Sequence, residues 1–120
     1  MKLIATSVLV LAAASFGPIA QASDLAAGKA VWEKFNCASC HGADAMTSVD
    51  PSYPTLAGQH ADYLEHALVS YQRGARGLPA SANVRKNAIM GAFATQLTKA
   101  DIVNVSQWLA SLPSPLGVRK

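Results

Sequence analysis

Five consecutive residues, Cys37-Ala38-Ser39-Cys40-His41, constrain this chain more than any other feature. The two cysteines stand three positions apart with an imidazole directly behind them, the C-x-x-C-H pattern of c-type haem attachment. On a helical turn residues i and i+3 share a face, so each thiol can bond one vinyl group of a flat ring. His41, at i+4 from Cys37, falls on that same face with its imidazole aimed at the ring centre as an iron ligand. Rival uses of these residues fare worse. A thiol–disulfide redox pair expects a βαβ surround, and the sequence carries no strand pattern. A zinc site wants four ligands, and the chain has only two Cys and three His to offer.

The chain opens with Lys2 and a run from Leu3 to Phe16 that is almost entirely apolar or small. Ala20-Gln21-Ala22 follows as a small-x-small cleavage signature. Residues 1–22 therefore read as a secretory signal peptide cut after Ala22. The run is shorter than the about 20 residues a membrane-spanning helix needs, which argues against a retained anchor, and no later segment could span. Residues 23–120 then form one mono-haem domain. Without Lys2, nine basic residues face seven acidic ones, and two haem carboxylates would bring the total near neutral. No dense basic patch points to nucleic acid. Both cysteines are used by the haem, so no disulfide is expected; export to the periplasm agrees with this, because attachment must precede pairing of the thiols.

Ser23 or Asp24 can cap a helix over Leu25–Phe35, with Leu25, Gly28, Val31, Trp32 and Phe35 at helical spacing. Gly28 weakens that helix, so its presence implies close backbone packing against another element. From Gly42 to Gln59 the turn-forming pairs Asp50-Pro51 and Tyr53-Pro54 predict an irregular loop around the haem. A second helix is expected over Ala61–Gln72 on a stripe of Tyr63, Leu64, Ala67, Leu68 and Tyr71, with Gly74 as its stop. Arg76–Asn87 reads as another loop, leading into Ile89-Met90. The last helix opens at Thr98, with Asp101 completing a capping box, and buries Ile102, Val105, Trp108, Leu109 and Leu112 until Pro113 ends it. Three helices and two long loops make a poor core for a domain of this length, and a large apolar ring would complete it.

His41 leaves the opposite face of the iron to Met46, Met90, His60 or His66. Met46 lies five residues on and reaches ~17 Å fully extended, scarcely enough to round the porphyrin edge. His60 and His66 flank the apolar stripe of their helix and read as exposed side chains. Met90, in a flexible loop before the final helix, can approach from the far side, and it is the expected sixth ligand.

Gly28 and Trp32, the Cys37–His41 run, Tyr53-Pro54-Thr55-Leu56-Ala57-Gly58-Gln59, Tyr63-Leu64, Tyr71-Gln72-Arg73-Gly74, Met90, and Val105 with Trp108-Leu109 resemble class I cytochromes c. The likeness is greatest to the single-haem units of bacterial periplasmic respiratory cytochromes, including di-haem ones, and it covers Leu25 to Leu112. It implies the all-α cytochrome c fold, whose first and last helices cross at Gly28 with Trp32 and Trp108 packed there. It also implies that the Pro54 carbonyl accepts a hydrogen bond from the proximal imidazole, fixing its orientation. The cysteine pair occurs once, so a di-haem protein requires two chains, and a monomer or weak dimer is expected.

The function implied is that of a soluble periplasmic carrier of single electrons between a protein donor and a protein acceptor, and not of an enzyme. An electron-transfer subunit of a larger periplasmic dehydrogenase or oxidase is the alternative. A peroxidase or gas sensor needs an open iron face, which Met90 would claim. Arg73, Arg76, Arg85 and Lys86 form either a basic rim that steers an acidic redox partner or an ordinary solvated surface.

Overall fold

The computed structural model describes residues 24–115; the leader expected at 1–22 and the last five residues lie outside the described residues. Within that span every regular element is helical: α1 Leu25–Lys34, α2 Ala38–His41, α3 Ala61–Ala75, a 3₁₀ turn Ala80–Ala82, α4 Ala88–Ala94 and α5 Lys99–Ser111. The three longest, α1, α3 and α5, are the three expected from periodicity.

Their ends follow from local chemistry. Asp24 Oδ1 accepts from the Ala26 and Ala27 amides at 3.0 and 3.1 Å, satisfying two of the donors that open α1. At α5 the capping box is complete: Thr98 Oγ1 accepts from Asp101 N at 3.1 Å, and Asp101 Oδ2 accepts from Thr98 N at 2.9 Å. Those Thr98 bonds hold the Asp101 carboxyl below the usual carboxylate range.

α1 crosses α5 in the most extensive helix pairing of the fold. Gly28 makes the crossing possible. A Cβ added there would overlap the Asn104 carbonyl oxygen and lie 2.5 Å from Trp108 Cβ. Trp32 and Trp108 pack beside it with ring centroids 5.5 Å apart. Gly28→Ala is therefore expected to destabilise the haem-loaded protein by about 2 kcal/mol through overpacking, although alanine is the better helix former by ~1 kcal/mol. A lowered denaturation midpoint at unchanged slope would register this, and a raised midpoint would refute the close approach.

Two expectations need correction. Gly74 does not stop α3, which runs on to Ala75; the left-handed residue after it is Gly77, at φ +73°. Gly74 lacks a side chain for another reason: the Arg85 carbonyl rests where its Cβ would be. Met90 also does not sit in a loop. It is the third residue of α4, capped by Asn87, whose Oδ1 accepts from Met90 N at 2.9 Å.

Candidate haem cleft

The Cys37–His41 run is one tight helical turn. Asn36 takes the left-handed conformation (φ 51°) and breaks the chain away from α1. The Cys37 carbonyl then accepts from Cys40 N at 3.3 Å and His41 N at 3.1 Å. Both thiols are free. Burial pushes the Cys37 thiol up, and the nearby Cys40 adds to the rise. Gly42 (φ +82°) turns the chain out of the motif where a side chain would strike the Thr47 carbonyl.

The loop that follows is irregular yet heavily bonded. Asp44 Oδ1 accepts from Met46 N at 2.8 Å and Thr47 N at 2.7 Å, and these bonds hold its carboxyl at about 2. Val49 N donates to the Cys40 carbonyl, while Leu56 N and Ala57 N both donate to the carbonyl of the fully buried Ala45. Gly58 N donates to the Leu109 carbonyl at 2.9 Å and fastens the loop to α5. This anchorage presents Pro54 to the motif: its carbonyl oxygen lies 3.1 Å from His41 Nδ1. A carbonyl can only accept, so the bond requires the proton on Nδ1 and leaves the Nε2 lone pair free. Burial lowers the pKa of His41 against the opposing pull of the Pro54 bond, favouring the neutral ring that binds metal.

His41, Cys37, Cys40 and Pro54 open onto one cleft with about 1340 Å³ of empty space, part of it continuous with solvent. The remaining walls are mostly apolar and include Val31, Trp32, Phe35, Leu64, Leu68, Phe93, Leu97, Val105, Leu109 and Met90, with polar side chains such as Gln59, Asn87 and Arg85 among them. α4 carries Met90 there because it is fixed to α3. The Gln72 side chain donates to the Ala94 and Leu97 carbonyls at 2.8 and 2.9 Å, and α4 comes so near α3 at Gly91 that a Cβ added there would lie 3.2 Å from Ala75 Cβ. The other three candidate ligands lie elsewhere. Met46 packs against the hydrophobic cluster, and His60 is exposed at the start of α3. His66 is exposed with Nδ1 2.7 Å from the Asp62 carbonyl.

The cleft suits a large flat apolar group. Nine hydrophobic side chains among the described residues are buried, and three of these are alanines, so the protein packs thinly around its own centre. The Trp32 indole N–H is also buried with no acceptor, an expense of about 1–3 kcal/mol unless something in the cleft offers one. A thin core, an orphaned donor and two thiols beside a neutral imidazole fit a haem.

A family model described as cytochrome c matches residues 25–113. The chain belongs to the cytochrome c family. As such it holds one covalently attached haem c, and the family's attachment motif is present at Cys37, Cys40 and His41. It is similar to cytochrome c4 of Azotobacter vinelandii, 33% identical over 63% of this chain and 34% of that one. A thiosulfate dehydrogenase electron acceptor of Stutzerimonas stutzeri is 35% identical over 66% of this chain and 32% of the relative. This chain thus spans about a third of the length of both. Cytochrome c-554(548) of Halomonas halodenitrificans matches on its own scale, 35% identical over 75% of this chain and 98% of the relative. No helix among the described residues is long and apolar enough to cross a membrane.

Sequence reasoning missed two contributors to the cleft. Gln72 was part of a helix pattern with no role of its own, and its carbonyl partners lie 22 and 25 residues away. Arg85 was grouped with Arg73, Arg76 and Lys86 as a surface cation, yet of the four it alone lines the cleft. Charge in the sequence carries no mark of that difference.

Proposed function

We propose that this cytochrome c is a periplasmic carrier of single electrons, its iron held between His41 and Met90, with residues 1–22 serving as a leader removed on export. The observation that carries the reading is that His41 and Met90 line the same apolar cleft from separate elements, while Met46, His60 and His66 do not line it. A bound haem supplies the one-electron Fe(II)/Fe(III) couple. Around it Cys37 and Cys40 provide the thiols for attachment. His41 offers Nε2, its orientation set by the Pro54 carbonyl, and Met90 offers a thioether sulfur from a helix braced by Asn87 and Gln72. Val31, Leu64, Leu68, Leu97, Val105 and Leu109 keep water from the centre. With His41 and Met90 both holding the iron, no substrate site would remain at the metal, which suits electron transfer rather than bond-making.

The name of the Stutzerimonas stutzeri relative supports a second reading, in which the chain receives electrons from one dedicated dehydrogenase. Both readings require the same centre. Potentiometric titration of purified protein, followed by visible absorption, tests it: a low-spin c-type spectrum should convert in a single one-electron step. A high-spin spectrum in both oxidation states would refute two protein ligands. Co-purification with a partner at low salt selects the second reading.

A further inference from the structure

Little apolar burial holds α4 in place. Its buried residues are Gly91, which has no side chain, and Ala94, which has only a methyl group. Met90 and Phe93 are half-buried where they line the cleft, and Ile89 is 51% exposed. A helix of seven residues has almost no stability of its own, so contacts from elsewhere must fix it. At its start the Asn87 side chain accepts from Met90 N. At its far end the fixing group is Gln72, which reaches across from α3.

The Gln72 bonds meet at one corner. Nε2 donates to the carbonyls of Ala94, the last residue of α4, and Leu97, which precedes the Thr98 cap of α5. The Ala94 carbonyl also accepts from Leu97 N at 3.1 Å, so the turn between the two helices closes around the Gln72 amide. An amide nitrogen carries two N–H donors, and this one has an acceptor for each. The corner is also a partition. Leu97 lines the cleft on one side and a groove on the outer surface on the other, and Gln72 lines that groove with it. Releasing the corner would loosen the end of α4 and the cleft wall together.

We propose that Gln72 is the positioning residue for Met90: its paired hydrogen bonds keep α4 docked on α3 and so hold the thioether in the cleft against competing ligands. The proposal rests on the reading of Met90 given above. Bracing of this kind is distinct from general stability. The crossing at Gly28 joins α1 to α5, whereas Gln72 supports the one element that carries Met90. Removing its donors raises the population of a state in which Met90 has left the cleft, and the apparent affinity for an added ligand rises with that population.

The test is imidazole binding to the oxidised, haem-loaded protein, followed by visible absorption. It compares the parent with Gln72→Leu, Gln72→Glu, Met90→Ala and the double variant Gln72→Leu/Met90→Ala. Leucine removes both donors, and an ionised glutamate keeps the length of the side chain but offers acceptors only. Each Gln72 variant should bind imidazole about tenfold more tightly than the parent, the order of effect that one or two net hydrogen bonds carry. In the Met90→Ala background Gln72→Leu should add nothing, because no thioether remains to be displaced. Amide exchange should quicken in α4 and stay at the parent rate in α1. Gly28→Ala is the control: it weakens the fold at the helix crossing and should leave imidazole affinity at the parent value. Parental affinity in both Gln72 variants overturns the proposal. So does an equal gain with and without Met90, or a like gain in Gly28→Ala, either of which makes the effect a general loosening of the fold. If Gln72→Leu yields no folded product, Gln72→Glu decides. If Met90→Ala itself binds imidazole no better than the parent, the Met90 reading fails, and that is seen without any Gln72 variant.

Discussion

Cys37→Ser/Cys40→Ser is expected to leave almost no stable haem-loaded protein, and each single change to leave at most one thioether bond. Attachment makes the haem part of the chain. A short tether holds a ligand at an effective concentration on the order of millimolar, roughly a thousandfold above micromolar free haem. Without it, occupancy depends on the cleft walls and on the two ligands proposed above, His41 and Met90, alone. The consequence for the fold is large because so little else fills the centre: nine hydrophobic side chains are buried among the described residues, three of them alanines. Loss of haem exposes the apolar walls of the cleft, and Trp32 keeps its unpaired N–H. The double variant should therefore show a lower unfolding midpoint as well as missing absorbance. Acid–acetone extraction supplies the check. Haem should remain with the parent polypeptide and leave any loaded double variant. Complete extraction from the parent would end the covalent assignment.

What could be read from the chain beforehand was mostly what local chemistry decides. The Cys37–His41 turn, the Asp24 cap and the Thr98–Asp101 capping box each complete themselves within a few residues, so spacing alone announces them. Gly28 was legible as a close approach because it falls inside α1, past the capped first turn and short of the C-terminus, where a glycine costs helix stability. Gly74 was not, since a glycine near a helix end signals a stop and a contact equally well. Only the Arg85 carbonyl, eleven positions on, distinguishes the two. The helix under Met90 was missed for a related reason. Seven residues are too few for periodicity to register, and α4 depends on the distant Gln72 side chain as much as on its Asn87 cap. Pro54 is a further case. Nothing in its position relative to His41 reveals a bond across thirteen residues, and family resemblance alone drew attention to it.

Met90→Ala is expected to leave the haem attached while opening the sixth position of the iron. The substitution sits on the third residue of α4, where alanine is a good helix former, and the Asn87 cap bonds the backbone N–H that alanine retains. Cys37, Cys40 and His41 are untouched. The spectrum should turn high-spin, and the reduced protein should bind CO where the parent does not. The midpoint potential should fall, because a thioether favours Fe(II). A drop on the order of 0.1 V is expected, a fraction of the about 0.8 V that axial ligands span. Met46→Ala should change none of these readings, since Met46 packs against the hydrophobic cluster and contributes nothing to the cleft wall. His60→Ala and His66→Ala should be equally silent: His60 is exposed at the N-terminus of α3, and His66 is exposed beside the Asp62 carbonyl. If Met90→Ala stays low-spin with its potential unchanged, the thioether is not the ligand. Ligation by either histidine would then require α3 to rotate an exposed side chain past buried Leu64 into the cleft, a rearrangement that amide exchange along α3 would register.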